Sequence, residues 1–279
     1  MYKIIVKETL NSQTKLMKVM APMVAKKALA GQFIILRIDE NGERIPLTIA
    51  DYDREEGTIT IIFQEVGATT KRLGQLSIGE SILDFAGPLG KPSELDGIKK
   101  ACVIGGGLGT AIAYPQAKAL KNAGTVVDCV CGFRSIDLII LEEEMKKVSR
   151  NLYIATDDGS NGFKGFVTNI LKDLIEKGEK YDAVIAIGPL VMMRAVANLT
   201  REYGIKTIVS MNSIMIDGTG MCGGCRVIVG GETKFACVDG PDFDGHLVDF
   251  DVAINRGRMY MDKEKQSVEH KCNLIQGVE

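Results

Sequence analysis

The chain has 279 residues, 46% of them apolar, and a formal net charge of -2. That length allows two domains, or two plus a small appendage, with enough apolar material for a sizeable core. The balanced charge and the lack of a long like-charged block exclude a nucleic-acid-binding face and an acidic tail.

Residues 2–8 (YKIIVKE) alternate like a strand directly after Met1, so no signal peptide is expected. Further short alternating or β-branched runs follow at 14–20, 31–39, 44–53, 58–66 and 80–87, separated by turn sequences such as ENGE (40–43) and REEG (54–57). Closely spaced short strands predict a small barrel over 1–95, with one short helix at 69–76. In RIPLT (44–48) a proline falls inside a strand, which suits a sheet edge or a strand that faces a ligand. Arg44 is a bidentate phosphate donor by type, and Thr48 offers a hydroxyl. FQEVGATT (63–70) ends at a helix start, where amides, Thr69 and Thr70 could hold phosphate. On chemistry alone, an edge strand with an ordinary surface arginine is the plainer reading.

After Pro88 and Pro92 the pattern changes. Strands are predicted at KKACVIGGG (99–107), VVDCVCG (126–132), NLYIATDD (151–158), YDAVIAIGP (181–189) and KTIVSM (206–211). Helices are predicted at 110–124, 137–149, 166–178 and 190–204, with LEEEMKK (141–147) as the solvated side of one. The alternation predicts a doubly wound parallel sheet over 96–211. The longest apolar stretch, 183–199, is broken by Gly188, Pro189 and Arg194, and reads as strand, turn and helix, not as a membrane span.

Gly105, Gly106, Gly107, Leu108, Gly109 and Thr110 form a loop between a strand and a helix. Such a loop lets backbone amides approach a pyrophosphate at the helix N-terminus. Thr110 stands where the strict dinucleotide pattern has a third glycine, and no acid ends the second strand. A tight turn with no ligand is the alternative. Strand ends form the ligand crevice of such sheets, which adds Gly132, Arg134, Asp157, Asp158, Gly188 and Pro189 as nucleotide contacts. Arg134 could pair with a phosphate or cap a surface.

The third zone, 212–279, holds a glycine- and cysteine-rich segment to about 250 and a polar tail. Seven cysteines, an odd number, in a chain with no export signal predict a reducing, cytoplasmic setting and make disulfides the weaker reading. Asp217, Cys222, Cys225 and Cys237 are spaced D-x4-C-x2-C-x11-C, which matches a plant-type [2Fe–2S] pattern with aspartate in the first position. CRVIVGGETKFAC reads as a hairpin around Gly230-Gly231 that returns Cys237 to the site. Two alternatives stay open: a turn aspartate at 217 with another fourth ligand, and a zinc site built from the same four residues. Cys102 and Cys129 are expected in buried strands and Cys131 at a strand end. Cys272, His246 and His270 are expected to be incidental.

R-x-P-L-T, VGATT, GPLG (87–90), GGGLGTA and IGPLVMM together resemble the ferredoxin–NADP reductase superfamily over about 1–210. The resemblance implies FAD on the barrel, contacted by Arg44, Pro46, Leu47, Thr48, Phe63, Gln64, Glu65, Thr69 and Thr70, and NAD(H) on the second domain. Ile187 stands where many relatives carry a cysteine. With its cluster segment, the whole chain resembles the electron-transfer subunits of the dihydroorotate dehydrogenase type. Within them it is most similar to the small-subunit family of NADH-dependent reduced ferredoxin:NADP+ oxidoreductases, because dihydroorotate dehydrogenase subunits usually keep four cysteines. This resemblance implies hydride exchange between NAD(H) and FAD. It also implies single-electron passage through a [2Fe–2S] cluster to a larger subunit carrying FAD and [4Fe–4S] clusters, in an electron-bifurcating heterodimer.

Overall fold

A computed structural model describes residues 1–267. The barrel is one seven-stranded antiparallel sheet: β1 (Tyr2–Thr9), β2 (Thr14–Met20), β3 (Phe33–Arg37), β4 (Ile45–Asp53), β5 (Thr58–Gln64), β6 (Ser81–Ile82) and β7 (Asp84–Leu89) in the spatial order β6-β1-β2-β5-β4-β3-β7. Its interior is filled by inward-facing apolar side chains such as Ile4, Met17, Ile34, Ile61 and Phe63, all fully buried. A one-turn helix, α1 (Pro22–Ala25), follows β2, and α2 (Ala68–Gln75) follows β5. The run expected as one strand at 80–87 is two, because the chain turns a corner at Leu83. β6 pairs with β1, and β7 pairs with β3.

The second sheet has the order β10-β9-β8-β11-β12-β15, where β15 is Asp242–Asp244 of the last zone. Its strands β8 (Lys100–Gly106), β9 (Val126–Phe133), β10 (Asn151–Thr156), β11 (Ala183–Ile187) and β12 (Lys206–Ser210) are parallel. Helices α3 (Gly109–Asn122) and α4 (Glu142–Val148) cover one face, and α5 (Val167–Glu176) and α6 (Leu190–Glu202) the other. The strands are apolar on both sides, as a doubly covered parallel sheet requires. Along β8, Ala101 and Val103 join the core under α3, and Cys102 and Ile104 the core under α5 and α6. The helix expected over 137–149 is reduced to a single 3-10 turn at Ile136–Leu138 and α4. Between them Ile139, Ile140 and Leu141 pack into the core beside Leu10 of the barrel, and Leu141 takes a left-handed φ of 55° that stops a continuous helix.

The last zone contributes β13 (Arg226–Val229) and β14 (Glu232–Phe235), the expected hairpin, whose turn glycines have φ of 60° and 81°. Two further elements were not expected there. β15 (Asp242–Asp244) runs antiparallel to β12 and finishes the nucleotide-domain sheet. α7 (Phe250–Gly257) starts at Asp249, whose carboxylate accepts the Val252 N–H at 3.0 Å. That cap removes a helix-end orphan donor, and Phe250 and Ala253, three apart, bury the helix face. His270 and Cys272 lie outside the described residues. No helix among the described residues is long and apolar enough to cross a membrane.

Candidate functional site

A cleft of about 890 Å³ opens at the carboxyl ends of the parallel strands, between them and the barrel. Its wall includes Gly106, Gly107, Leu108 and Gly109, with Gly132, Arg134 and Asp157 on one side and Gly188 and Pro189 on the other. The loop glycines are there for space. A Cβ on Gly106 would meet Met192 Sδ at 2.5 Å and Pro189 Cδ at 3.1 Å, and one on Gly109 would sit on the Ile187 carbonyl. Gly107 has φ 54° and donates its N–H to the Gly132 carbonyl at 2.8 Å. Three expected nucleotide residues do not line the wall. Gly105 is packed on Thr110, Thr110 is fully buried, and Asp158 turns away to accept the Ser160 N–H and hydroxyl. Cys131 is likewise in the core, where burial raises its thiol to about 12.

The barrel side is built around a break in pairing. Residues Ile45–Thr48 of β4 pair only with β3, and pairing with β5 begins at Ile49. The β4 edge at 45–48 is thus open opposite the end of β5, and Pro46 stands in it without an N–H to leave orphaned. Thr48 and Leu47 are half-buried on this edge, and Gln64 reaches the cleft wall. Phe63 is fully buried in the barrel core, so only its backbone is available to a ligand. The Glu65 side chain lies against Gly74 and faces Lys15 at 3.7 Å. Thr70 Oγ1 accepts the Gly67 N–H at 3.0 Å, and Thr69 Oγ1 donates to Glu43 at 2.5 Å. Both hydroxyls therefore shape the start of α2.

The cysteine segment lies against this edge. Arg44 Nε donates to the Ile216 carbonyl at 2.7 Å, and a Cβ on Gly218 would meet Leu89 at 2.7 Å and Ile35 at 2.9 Å. Cys225 and Cys237 are buried, with their sulfurs 3.2 Å apart. The Ala236 N–H bonds the Cys225 carbonyl at 3.1 Å, which brings the two thiols together at the base of the hairpin. Burial first, then the contact with Cys225, raises the Cys237 thiol to about 12. Cys222 is exposed and accepts the Gly224 N–H on sulfur at 3.4 Å. The Asp217 carboxylate accepts the N–H of Thr219 at 2.8 Å and of Cys222 at 2.6 Å. The Thr219 amide first, then that of Cys222, holds its pKa below the usual carboxylate value.

Gly218, Gly220 and Gly223 have φ of 76°, 84° and 66° and turn the loop around the four residues. Among the described residues no three His, Cys, Asp or Glu side chains converge on one point. The buried thiol pair, the exposed Cys222 thiol and the amide aimed at its sulfur are donors of the kind an iron–sulfur cluster takes. Sequence reasoning missed Arg256, whose Nη2 donates to the Gly224 carbonyl at 3.1 Å from α7 and braces the loop. No local pattern marks it. His246 meets Thr200 Oγ1 at 3.0 Å, away from the cysteines.

The architecture is a barrel followed by a doubly wound domain, with the cleft between them. Solved structures under 25% identity share this fold, among them a Malassezia yamatoensis flavohemoglobin (TM-score 0.58, 20% identity, 73% of this chain and 56% of that one). The family model for the iron–sulfur cluster binding domain of dihydroorotate dehydrogenase B matches residues 212–249. A Thermotoga maritima protein described as a homologue of the dihydroorotate dehydrogenase B (NAD(+)) electron transfer subunit is 47% identical, over 89% of this chain and 88% of its own. The Fusobacterium nucleatum electron transfer subunit is 33% identical over 81% and 88%. A solved structure of an NADH-dependent reduced ferredoxin–NADP oxidoreductase, described in terms of flavin-based electron bifurcation, has a chain that superposes with TM-score 0.92. It is 43% identical and covers 98% of both chains. The chain belongs to the dihydroorotate dehydrogenase B electron-transfer subunit family, a family of oxidoreductase subunits.

Proposed function

We propose that this chain is the NAD(H)-facing subunit of an electron-transfer complex of the NADH-dependent ferredoxin–NADP oxidoreductase type. FAD would lie along the open β4 edge, held by Arg44, the backbone of Pro46 to Thr48 and of Phe63 to Glu65, and the start of α2. NAD(H) would lie over the loop at 106–109. Asp217, Cys222, Cys225 and Cys237 would hold the [2Fe–2S] cluster. When bound, these groups supply the hydride and single-electron chemistry. The chain supplies distance and orientation.

The observation that carries the reading is the seat of the cysteine loop on the barrel. Arg44 Nε and the Ile216 carbonyl join the two at 2.7 Å, and Gly218 touches Ile35 and Leu89. The loop that carries Asp217 and Cys222 thus rests directly on the barrel beside β4, so groups held by the two would be neighbours. Ile187, at the end of β11, is 2% exposed and adds an apolar wall that excludes water in place of a thiol. The partner is a larger subunit carrying FAD and [4Fe–4S] clusters.

An anaerobic titration of the purified chain with NADH tests this, read by visible absorbance and low-temperature EPR. Flavin bleaching together with a [2Fe–2S] signal is expected. A colourless, zinc-bearing chain would overturn the proposal. Reduction by NADPH alone would reassign the nucleotide and point to Arg134. Co-purification of the partner separates this reading from a dihydroorotate dehydrogenase subunit.

A further inference from the structure

We propose that Phe166 is the stacking platform for the adenine ring of the nucleotide, a role that rests on the assignment of NAD(H) to the cleft. Topology decides which end of the cleft takes which half of the dinucleotide. The cysteine loop leaves the sheet after β12, on the β11–β12 side, and touches the barrel edge at Arg44. The nicotinamide must reach that edge, so it takes the side of Gly188 and Pro189. With the pyrophosphate over 106–109, the adenosine is left with the β9–β10 side, where Arg134 and Asp157 line the wall.

Phe166 lines that same end and is 65% exposed. Its flat ring, exposed on the cleft wall, offers the kind of face on which a purine stacks. The backbone around it is fixed. Thr156 Oγ1 donates to Asn161 Oδ1 at 2.8 Å, and Asn161 Nδ2 donates to the Ile154 carbonyl at 2.8 Å. The Gly165 N–H bonds the Thr156 carbonyl at 3.2 Å, and the Phe166 N–H bonds Asn169 Oδ1 at 2.9 Å. Val167, the next residue, is buried against Gly132, so the chain cannot rotate to fold Phe166 inward. The loop therefore presents an aromatic face at the adenosine end at little entropic cost. Stacking of a base on an aromatic ring tolerates any purine face.

The experiment compares two hydride donors, NADH and reduced nicotinamide mononucleotide, which lacks the adenosine. Anaerobic stopped-flow reduction of the bound flavin is followed in the wild type, Phe166→Ala and Phe166→Tyr. The expected result is an apparent Kd for NADH raised roughly ten-fold in Phe166→Ala. The limiting rate is expected to be unchanged, Phe166→Tyr to behave as wild type, and the mononucleotide to react alike with all three. An equal loss for both donors would show a structural defect and overturn the proposal, as would no loss for either. If the wild type reacts with neither donor, the nucleotide assignment itself fails and the Phe166 role falls with it.

Discussion

Ser93 Oγ donates to Asp242 Oδ2 at 2.6 Å, across 149 residues of chain. Gln116 Nε2 of α3 meets the same oxygen at 3.1 Å. One enclosed carboxyl on β15 thus joins the segment leaving the barrel, the helix that follows the glycine loop and the cysteine zone. Burial pushes its pKa above the ordinary 3.8, and the hydrogen bonds from Ser93, Ser210 and Gln116 oppose the shift without reversing it. A raised pKa in the fold means the native state holds the proton more tightly than the unfolded chain. The stabilising contribution is full below about pH 3.8 and is lost as pH rises through the folded value. Wild-type stability minus that of Asp242→Asn should therefore fall from about pH 4 toward neutrality, measured by urea unfolding at several pH values.

If Asp217 is a ligand as proposed, Asp217→Cys should keep the cluster and move its potential, because a soft thiolate would replace a hard oxygen on iron. The replacement also removes the acceptor for the Thr219 and Cys222 amides. An EPR-monitored redox titration reads the shift. An unchanged potential and spectrum would remove Asp217 from the ligand set.

Cys225→Ser and Cys237→Ser should each abolish the iron–sulfur absorbance while flavin content persists. The two thiols are buried side by side with sulfurs 3.2 Å apart, and the barrel interior around Ile4, Met17, Ile61 and Phe63 includes no residue of the hairpin that carries them. Iron and flavin analysis of the purified variants decides this.

Gly109→Ala places a methyl on the backbone carbonyl of Ile187. Backbone cannot yield as a flexible side chain can, so the start of α3 must move. Apparent affinity for NADH should drop at least about ten-fold, since a displacement of this kind spoils amide alignment at the loop. The visible spectrum should stay that of the wild type.

Asp128→Ala tests a separate network. The fully buried Asp128 carboxylate accepts from Arg150 at 3.0 and 2.5 Å, Tyr181 at 2.9 Å and Asn151 at 3.0 Å. Burial raises its pKa, but those hydrogen bonds outweigh burial and leave it below the ordinary value. Its contribution is present above about pH 3.8 and is lost as pH falls through the folded value. The substitution should cost about 3 kcal/mol in a urea melt, reduced somewhat by the half-exposed partner Arg150. Redox spectra should not change, because the network lies at the amino ends of the strands, opposite the cleft.

The sequence by itself determined most strands and helices, because period-two and helical spacing are properties of neighbouring residues. It also determined the glycine loop and the D-x4-C-x2-C-x11-C spacing, where chemistry demands residue types at short intervals. Pro46 could be read as marking a special strand, but not which side of that strand was open. Tertiary structure alone decided that β15 leaves the cysteine zone to finish the nucleotide-domain sheet, that Thr110 and Asp158 do not line the cleft wall, and that 138–141 pack on the barrel instead of continuing a helix. It also decided the pairs Arg44 with Ile216, Ser93 with Asp242 and Arg256 with Gly224. Each of those depends on which segments meet after burial of apolar surface, and such meetings leave no periodicity in the local chain.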